Sequence, residues 1–230
     1  MLTVKELNQF YGESHTLWDL DIKLNQGDCT CLMGRNGVGK TTLVKCIMGL
    51  LATTSGKIEF KGQSLRNLPA ESRAPLGIAY VPQGREIFSQ LTVEENLRIG
   101  LIVKKNKKDI PQYVFEIFPI LKEMLQRRGG DLSGGQQQQL AIGRALVVEP
   151  SLLILDEPTE GIQPNIVREI GEIIQKLNKK KKITVLLIEQ KLPFARRIAD
   201  HFIILDKGHL VAKGEIKELN DELAQKYLAV

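Results

Sequence analysis

The fold is decided by a glycine-rich stretch near the N-terminus, Gly34-Arg35-Asn36-Gly37-Val38-Gly39-Lys40-Thr41-Thr42. It fits the pattern G-x-x-x-x-G-K-[ST], in which backbone N–H groups and a lysine bind phosphate groups. The short apolar run Cys29–Met33 precedes it, and a helical pattern from about Lys40 to Met48 follows it. Because strand, loop and helix then place a helix N-terminus at the phosphates, the stretch predicts a phosphate-binding loop. We expect Lys40 to reach the outer phosphates and Thr41 to supply a hydroxyl to Mg²⁺.

A second pattern is a hydrophobic run that ends in two acids, Leu152-Leu153-Ile154-Leu155-Asp156-Glu157. A buried strand of a parallel sheet would present these acids at its carboxyl end, beside the phosphate loop. We expect Asp156 to hold the Mg²⁺ shell and Glu157 to orient and polarise an attacking water as general base. Acids at strand ends are also common as loop solubilisers or helix caps, so the nearby phosphate loop is what favours the functional interpretation.

A third pattern lies at a helix start, Leu132-Ser133-Gly134-Gly135-Gln136. Ser133 and Gln136 have the spacing of a capping box. A cap does not explain two successive glycines, each of which costs about 1 kcal/mol relative to alanine inside a helix. N–H groups that face an anion would explain them. Since one nucleotide rarely needs two such helix starts, the pattern predicts a site for the nucleotide of another subunit, and therefore a dimer.

The order of patterns along the chain predicts one α/β domain with a helical insertion. The length of 230 residues and a hydrophobic content of 43% suit one large core. Residues 1–83 and 151–230 carry strand patterns with crossover helices, starting with an alternating segment in which Leu20, Ile22 and Leu24 share one face. Residues 84–150 carry helical patterns, including a capping box at Thr92 and the apolar stripe Val114, Ile117, Phe118 and Leu121. We further expect helices over Pro164–Leu177 and Leu192–Ala199, and a closing hairpin of His201–Asp206 with Leu210–Lys213.

The charge distribution gives little support for a nucleic-acid partner. The net charge is +5, and much of the excess lies in two lysine runs, Lys104-Lys105-Asn106-Lys107-Lys108 and Lys179–Lys182. Neither run is interleaved with aromatic residues, and aromatic content is only 5%. We therefore interpret both runs as solvated loops, and we expect no nucleic-acid partner.

Cysteine usage and hydropathy indicate a reducing compartment. The odd count of cysteines, Cys29, Cys31 and Cys46, includes no C-x-x-C pair, which favours neither disulfides nor zinc. The longest apolar runs, such as Leu152–Leu155 and Val185–Ile188, are far shorter than a bilayer requires. The N-terminus has no apolar segment typical of a signal peptide, so we expect the protein to remain in the cytoplasm.

Taken together, these motifs resemble the ATP-binding subunits of ABC transporters over essentially the whole chain; they are Gly34–Thr42, Gln83, Leu132–Gln136 and Leu152–Glu157. The resemblance implies an α/β P-loop ATPase fold with an antiparallel β-subdomain and a helical subdomain that carries the signature stretch Leu132–Gln136. It implies that Tyr11 stacks on adenine, that Gln83 senses Mg²⁺ and water, and that the signature stretch binds the partner's γ-phosphate. A packing role for Tyr11 and a turn role for Gln83 after Pro82 are the alternatives.

Two departures from the usual family pattern indicate a subgroup within the family. Gln163 stands where most members have an aspartate, and Gln190 stands where most have a histidine that contacts the γ-phosphate. A glutamine amide donates a hydrogen bond but does not titrate. These departures resemble importers of branched-chain amino acids and of urea or short-chain amides, whose two ATPase subunits are different polypeptides. Cys31–Lys40 and the segments Gly84–Phe88 and Leu91–Leu97 resemble most the second ATPase subunit of urea importers.

The resemblance also implies partners and a location. It predicts transmembrane permease subunits that contact Gln83–Leu97, a second and non-identical ATPase subunit, and a solute-binding protein that acts indirectly. A homodimer stays open as an alternative. The implied location is peripheral, on the cytoplasmic face of the inner membrane. Two other functions are alternatives. One is a soluble ATPase acting on nucleic acid or ribosomes, which only the net charge supports. The other is a regulatory subunit that binds ATP without hydrolysis, which Gln163 and Gln190 suggest.

Overall fold

The computed structural model describes residues 1–104 and 109–228. The strands are β1 (Leu2–Tyr11), β2 (Ser14–Leu24), β3 (Cys29–Met33), β4 (Ser55–Phe60), β5 (Gln63–Ser64), β6 (Ile78–Val81), β7 (Leu152–Asp156), β8 (Thr184–Ile188), β9 (His201–Asp206) and β10 (His209–Glu215). The helices are α1 (Lys40–Met48), α2 (Val93–Leu101), α3 (Gln112–Ile117), α4 (Pro119–Glu123), α5 (Gly134–Leu146), α6 (Pro164–Lys181), α7 (Leu192–Ile198) and α8 (Asp221–Tyr227).

The N-terminal sheet is antiparallel, with strand order β2-β1-β4-β5. Leu20, Ile22 and Leu24 are buried on one face of β2, while the intervening residues are exposed. The alternating pattern thus packs one side of this sheet on the core and leaves the other in water, as predicted.

The central sheet has six strands in the order β10-β9-β3-β8-β7-β6 and is parallel except for the β9–β10 hairpin. Strands β3, β7 and β8 are buried at every residue. Their alternate residues pack into two different cores: Leu32 and Ile154 face the core shared with α1 and the N-terminal sheet, whereas Met33 and Leu155 face the core shared with the helices. Burial on both faces is why these strands lack polar alternation.

Residues between 84 and 150 contain the helices α2, α3, α4 and α5. The capping box at Thr92 is present at the start of α2. The apolar stripe Val114, Ile117, Phe118 and Leu121 is buried, but it belongs to two short helices instead of one. Proline disfavours helical geometry at the residue before it, so Pro119 ends α3 and begins α4.

Helix α6 is longer than predicted. It was expected to end at Leu177 but runs to Lys181, so the interpretation of Lys179–Lys182 as a loop was wrong. The last helical turn contains Lys179, Lys180 and Lys181, and positive charge is favourable at this end of a helix. Lys182 ends the helix with a left-handed φ of 57°. The other lysine run falls mostly on residues 105–108, outside the described residues.

Two further observations concern the membrane and the thiols. Over the described residues, no helix combines the length and apolar character needed to cross a bilayer. Cys29, Cys31 and Cys46 are free and buried. Burial raises the pKa of Cys29 and of Cys46 to about 12, which makes these thiols poor nucleophiles at neutral pH.

Candidate nucleotide site

The phosphate loop connects the end of β3 to the start of α1, in the context that the sequence predicts. Gly34 has a φ of +141°, and the carbonyl oxygen of Leu205 lies 2.3 Å from the position that a Cβ would occupy. Gly39 has a φ of +104° and leaves similarly little room beside Leu17. Only glycine fits these two positions, because a side chain would be strained and would also collide with neighbouring strands.

Lys40 lies inside this loop. Its exposed fraction is 5%, and its Nζ atom donates to the carbonyl oxygens of Gly34 at 2.7 Å and Arg35 at 2.8 Å. An ammonium group has three donors, so one remains for a phosphate oxygen. Burial lowers the pKa of Lys40, and the charges of Glu157 and Asp156 oppose that shift. The bound loop carbonyls therefore hold the lysine in place before any nucleotide arrives.

A cavity of about 310 Å³ opens above the loop. The lining combines the loop with residues from two distant segments of sequence; it consists of Asn36, Gly37, Gly39, Lys40, Thr41, Thr42, Gln83 and Glu157. Gln83 follows β6 and Glu157 follows β7, and these strands are adjacent and parallel. Neighbouring parallel strands end at the same edge of a sheet, so the topology brings the predicted residues together.

Asp156 lies at the end of β7 with two hydroxyl groups beside its carboxylate. Its Oδ2 atom accepts a hydrogen bond from Thr41 Oγ1 at 3.4 Å and from Tyr80 Oη at 3.3 Å. Burial raises the pKa of Asp156, while the Tyr80 and Thr41 hydrogen bonds and the charge of Lys40 oppose the rise. Tyr80, on β6, is a contact that sequence reasoning missed, since a strand tyrosine carries no signal of its partner.

The oxygen atoms of Thr41 and Asp156 fit a Mg²⁺ ion. This ion prefers oxygen ligands and keeps several waters or phosphate oxygens in its shell, so it needs few protein groups. Within the described ranges, no cluster of three or more His, Cys, Asp or Glu side chains could hold a metal.

Glu157 is held between two glutamines. Its backbone N–H donates to the Ile188 carbonyl at 3.0 Å, and its φ of 47° turns the chain sharply at the strand end. Gln190 Nε2 donates to Glu157 Oε1, and Gln83 Nε2 donates to Oε2 at 3.4 Å. Gln190 Nε2 also donates to Asn36 Oδ1 at 2.7 Å, which links it to the phosphate loop. Two amide donors thus orient a carboxylate that faces the cavity.

Glu160 and Glu189 are polar neighbours that sequence reasoning did not identify. Glu160 Oε2 accepts from Gln83 Nε2 at 2.9 Å, a shorter contact than the one with Glu157. Glu189, beside Gln190, is 3% exposed and accepts a hydrogen bond from the Thr159 hydroxyl. Both residues adjoin predicted motifs, and that adjacency is the only sequence signal they carry.

Tyr11 and Gln163 are among the predicted residues that lie outside the lining of the cavity. Tyr11 ends β1, pairs with Ser14 in the hairpin and is 47% exposed. Gln163 precedes α6 as its N-cap and makes no side-chain capping hydrogen bond. The adenine role of Tyr11 and the effect of Gln163 on the dimer therefore stay predictions.

The signature stretch forms a separate helix start. Ser133 caps α5, and both hydrogen bonds of the capping box with Gln136 are present. A Cβ on Gly134 would lie 3.4 Å from the guanidinium of Arg85, and one on Gly135 would lie 3.0 Å from Ile166. The stretch is absent from the cavity lining. Within one chain, this helix start and the cavity are therefore separate features.

Comparisons with known proteins identify the family of the chain. A family profile described as ABC transporter matches residues 17–160. The chain is 41% identical over 213 residues to the high-affinity branched-chain amino acid transport ATP-binding protein BraG of Pseudomonas aeruginosa, covering 92% of this chain and 91% of the relative. It is 39% identical over 221 residues to the probable branched-chain amino acid transport ATP-binding protein LivF of Archaeoglobus fulgidus, covering 95% and 94%.

Solved structures agree on the fold. The ADP conformation of an ATP-binding cassette of an ABC transporter matches with a TM-score of 0.80 and 32% identity, covering 95% of this chain and 94% of that one. A dimeric cassette bound to ADP and phosphate matches with a TM-score of 0.83, and its 23% identity supports the fold alone; it covers 94% and 99%. With the phosphate loop, the acids at the end of β7 and the family match together, the chain belongs to the ABC transporter family, as an ATP-binding and ATP-hydrolysing subunit.

Proposed function

We propose that this chain powers an importer of branched-chain amino acids as one of two ATPase subunits on the cytoplasmic face of the inner membrane. The observation that carries the catalytic part is the position of Glu157 at the cavity, between Gln83 and Gln190. A general base must lie within hydrogen-bond reach of the water whose proton it takes. A carboxylate at the cavity wall, oriented by two amides, meets that requirement.

The remaining residues have complementary roles in this proposal. The N–H groups of Gly34–Thr42 and the free donor of Lys40 bind the phosphates. Thr41 and Asp156, with Gln83 nearby, would hold Mg²⁺, which would offset negative charge on the phosphate oxygens. Glu157 accepts the proton of the attacking water, and Gln190 orients the Glu157 carboxylate with one N–H and contacts Asn36 of the phosphate loop with the other. Gln190 does not titrate, so it takes no proton from Glu157 during the step.

The site is completed by a second ATPase subunit. Ser133, Gly134, Gly135 and Gln136 form an N-terminal helix turn that lies outside the cavity of their own chain. Such a turn binds anions through backbone N–H groups and the helix dipole. We propose that it binds the γ-phosphate of nucleotide held by the partner, while Tyr11 stacks on adenine. The partner is a different polypeptide in this proposal, and the Gln163 segment lies at the shared interface.

The solute is proposed from similarity. BraG and LivF are named for branched-chain amino acid transport. Urea or a short-chain amide is a second candidate, because Cys31–Lys40, Gly84–Phe88 and Leu91–Leu97 resemble the second ATPase subunit of urea importers. Permease subunits carry the solute path, with their cytoplasmic helices against Gln83–Leu97 and a solute-binding protein acting from the far side.

The catalytic proposal is tested by Glu157→Gln in the reconstituted complex. Loss of a general base lowers kcat by about 10²- to 10⁴-fold. We expect this loss with ATP binding retained, measured by phosphate release and nucleotide trapping. Glu172→Gln, which changes an exposed carboxylate on α6, is the matched control. A wild-type complex that traps ATP and releases almost no phosphate would instead support the binding-only alternative.

Partner and solute need a separate experiment. ATPase activity is measured for the chain alone, with a candidate second ATPase subunit, and with the permease in proteoliposomes that take up labelled leucine or urea. Activity that requires the second subunit and follows leucine uptake is the expected result. Full activity of the chain alone would support a homodimer, and uptake of urea without leucine would assign the second candidate solute. Stimulation by nucleic acid would favour the soluble-ATPase alternative.

A further inference from the structure

We propose that Glu189 is a positioning residue for ATP hydrolysis, whose carboxylate ties the loop after β7 to the loop after β8 and so holds Gln190 against Glu157. This inference rests on the proposed roles of Glu157 and Gln190. It goes beyond them, because Glu189 lies outside the lining of the nucleotide cavity. Its contribution would therefore pass through other residues.

Glu189 is a nearly buried acid with a full set of donors. Its exposed fraction is 3%. Oε2 accepts from Thr159 Oγ1 at 2.7 Å, and Oε1 accepts from the backbone N–H groups of Gln190 at 2.9 Å and Lys191 at 3.1 Å. A carboxylate is costly to bury unless such donors satisfy it. One oxygen thus binds the loop after β7, and the other binds the loop after β8.

A second contact joins the same two loops. Lys191 Nζ donates to the carbonyl oxygen of Thr159 at 3.0 Å, and Thr159 is fully buried. The loops are neighbours because β7 and β8 pair in parallel, with Asp156 opposite Ile188. The backbone N–H of Glu189 donates to Leu32 on β3 at 3.2 Å. Glu189 is therefore anchored at both its backbone and its side chain.

Glu189 holds the backbone of Gln190, and the side chain of Gln190 contacts the proposed general base, Glu157. Gln190 is exposed, and its amide must reach both Glu157 Oε1 and Asn36 Oδ1. A long exposed side chain loses rotamer entropy when it is held in one geometry. Fixing the Gln190 backbone limits the freedom that remains to be lost. Without the Glu189 carboxylate, the backbone of Gln190 loses its acceptor and the amide samples positions away from Glu157.

The hydrogen bonds of Glu189 indicate which substitution at this position would still hold Gln190 in place. A glutamine at 189 keeps an oxygen acceptor for the backbone N–H groups, and its amide can donate to the Thr159 hydroxyl, which also accepts. Alanine keeps none of these bonds. Glu189→Gln should therefore rescue most of the positioning that Glu189→Ala removes. A role limited to the charge of Glu189 would give no such rescue.

The first test compares these variants in the reconstituted complex. Because a small misplacement near a reacting centre costs up to about 100-fold in rate, we expect Glu189→Ala to lower kcat by about 10- to 100-fold. The KM for ATP should change by less than about threefold, since phosphate binding is not altered. Glu189→Gln should recover most of kcat, and Glu172→Ala is the exposed control. An unchanged kcat in Glu189→Ala, or a loss confined to KM, would overturn the proposal.

A double-mutant cycle separates positioning from general stabilisation. If Glu189 acts through Gln190, Glu189→Ala should lower kcat little further once Gln190→Ala is present, because coupled residues are not additive. Fully additive losses overturn the inference while leaving the role of Gln190 intact. A Gln190→Ala variant with normal kcat overturns both this inference and the proposed role of Gln190, although Glu157→Gln would still test the base. Should Glu189→Ala not fold, Thr159→Val removes the Oε2 contact alone and enters the same cycle.

Discussion

Asp156 illustrates how burial tunes a single residue. Its pKa is raised because burial disfavours the charged form, and the opposing hydrogen bonds and Lys40 do not cancel the effect. A raised pKa means that Asp156 binds a proton more readily in the folded protein than in the unfolded chain. Stability from this group is therefore present at low pH and is lost as pH rises through the folded pKa. The charged form of this buried carboxyl therefore costs stability in the nucleotide-free protein.

We predict that Asp156→Asn raises the Tm of the nucleotide-free protein at neutral pH, because it removes that charge and keeps an acceptor for Tyr80. The gain should shrink as the pH is lowered toward the range where Asp156 itself is protonated. ATPase activity should be lost, since Thr41 no longer has a carboxylate beside it. Thermal unfolding at several pH values checks this, with exposed Asp131→Asn as control. A lower Tm in Asp156→Asn at neutral pH would contradict the assigned cost of burial.

At the scale of elements, α2 organises the segment that precedes it. Asn96 is fully buried in α2. Its Oδ1 accepts from the N–H of Phe88 at 2.9 Å. The two hydrogens of its Nδ2 are shared among three carbonyls within hydrogen-bond distance, those of Phe88 at 2.9 Å, Leu91 at 3.2 Å and Thr92 at 2.9 Å. One side chain thus fixes residues 88–92, which belong to the proposed permease surface.

We predict that Asn96→Ala destabilises the protein by roughly 2–3 kcal/mol, because several buried polar groups lose their partner at once. Urea denaturation of the isolated chain measures this. In the complex, stimulation of ATPase activity by the permease should fall more than basal activity. Thr92→Ala is the matched control, since losing a cap costs only about 1 kcal/mol. Equal losses of stability in the two variants would show that Asn96 stabilises the protein no more than a helix-capping residue does.

At the scale of the whole molecule, the β9–β10 turn joins both sheets to the phosphate loop. Gly208 accepts from the N–H of Trp18 on β2 at 3.0 Å and donates to the carbonyl of Val38 at 3.0 Å. Its φ is +80°, and the carbonyl oxygen of Thr16 lies 2.1 Å from the position of a Cβ. A side chain there must push β2 away from the turn.

We predict that Gly208→Ala lowers stability by roughly 2–4 kcal/mol and weakens ATP binding, because it combines left-handed strain with a backbone collision beside Val38. Gly62→Ala is a matched control: it has a φ of +81° and no atom within 4 Å of its Cβ position. That control should cost only about 1 kcal/mol, from the left-handed φ. Thermal unfolding and nucleotide titration measure both variants, and equal losses would rule out the collision as the cause.

The sequence by itself determined the features that depend on neighbouring residues. The phosphate loop, the bounds of β3 and α1, the capping boxes at Thr92 and Ser133 and the acids after β7 all follow from local patterns. Backbone sterics, capping and burial periodicity act over a few residues, so a short stretch of sequence is enough to predict them. The break at Phe118 and the end of α6 were missed, because element boundaries depend on competing local signals.

Only the tertiary structure decided which distant residues meet. Strand β3 pairs with β8 and β9, and β7 lies between β6 and β8, although these strands are far apart in sequence. That order brings Gln190 to Glu157 and Thr159 to Glu189, and it places Tyr80 beside Asp156. No local pattern encodes such contacts, since they depend on the register of parallel strands joined by long crossovers. The chemistry of each motif is therefore set by neighbouring residues in the sequence, whereas the contacts around Glu157 depend on the assembled sheet.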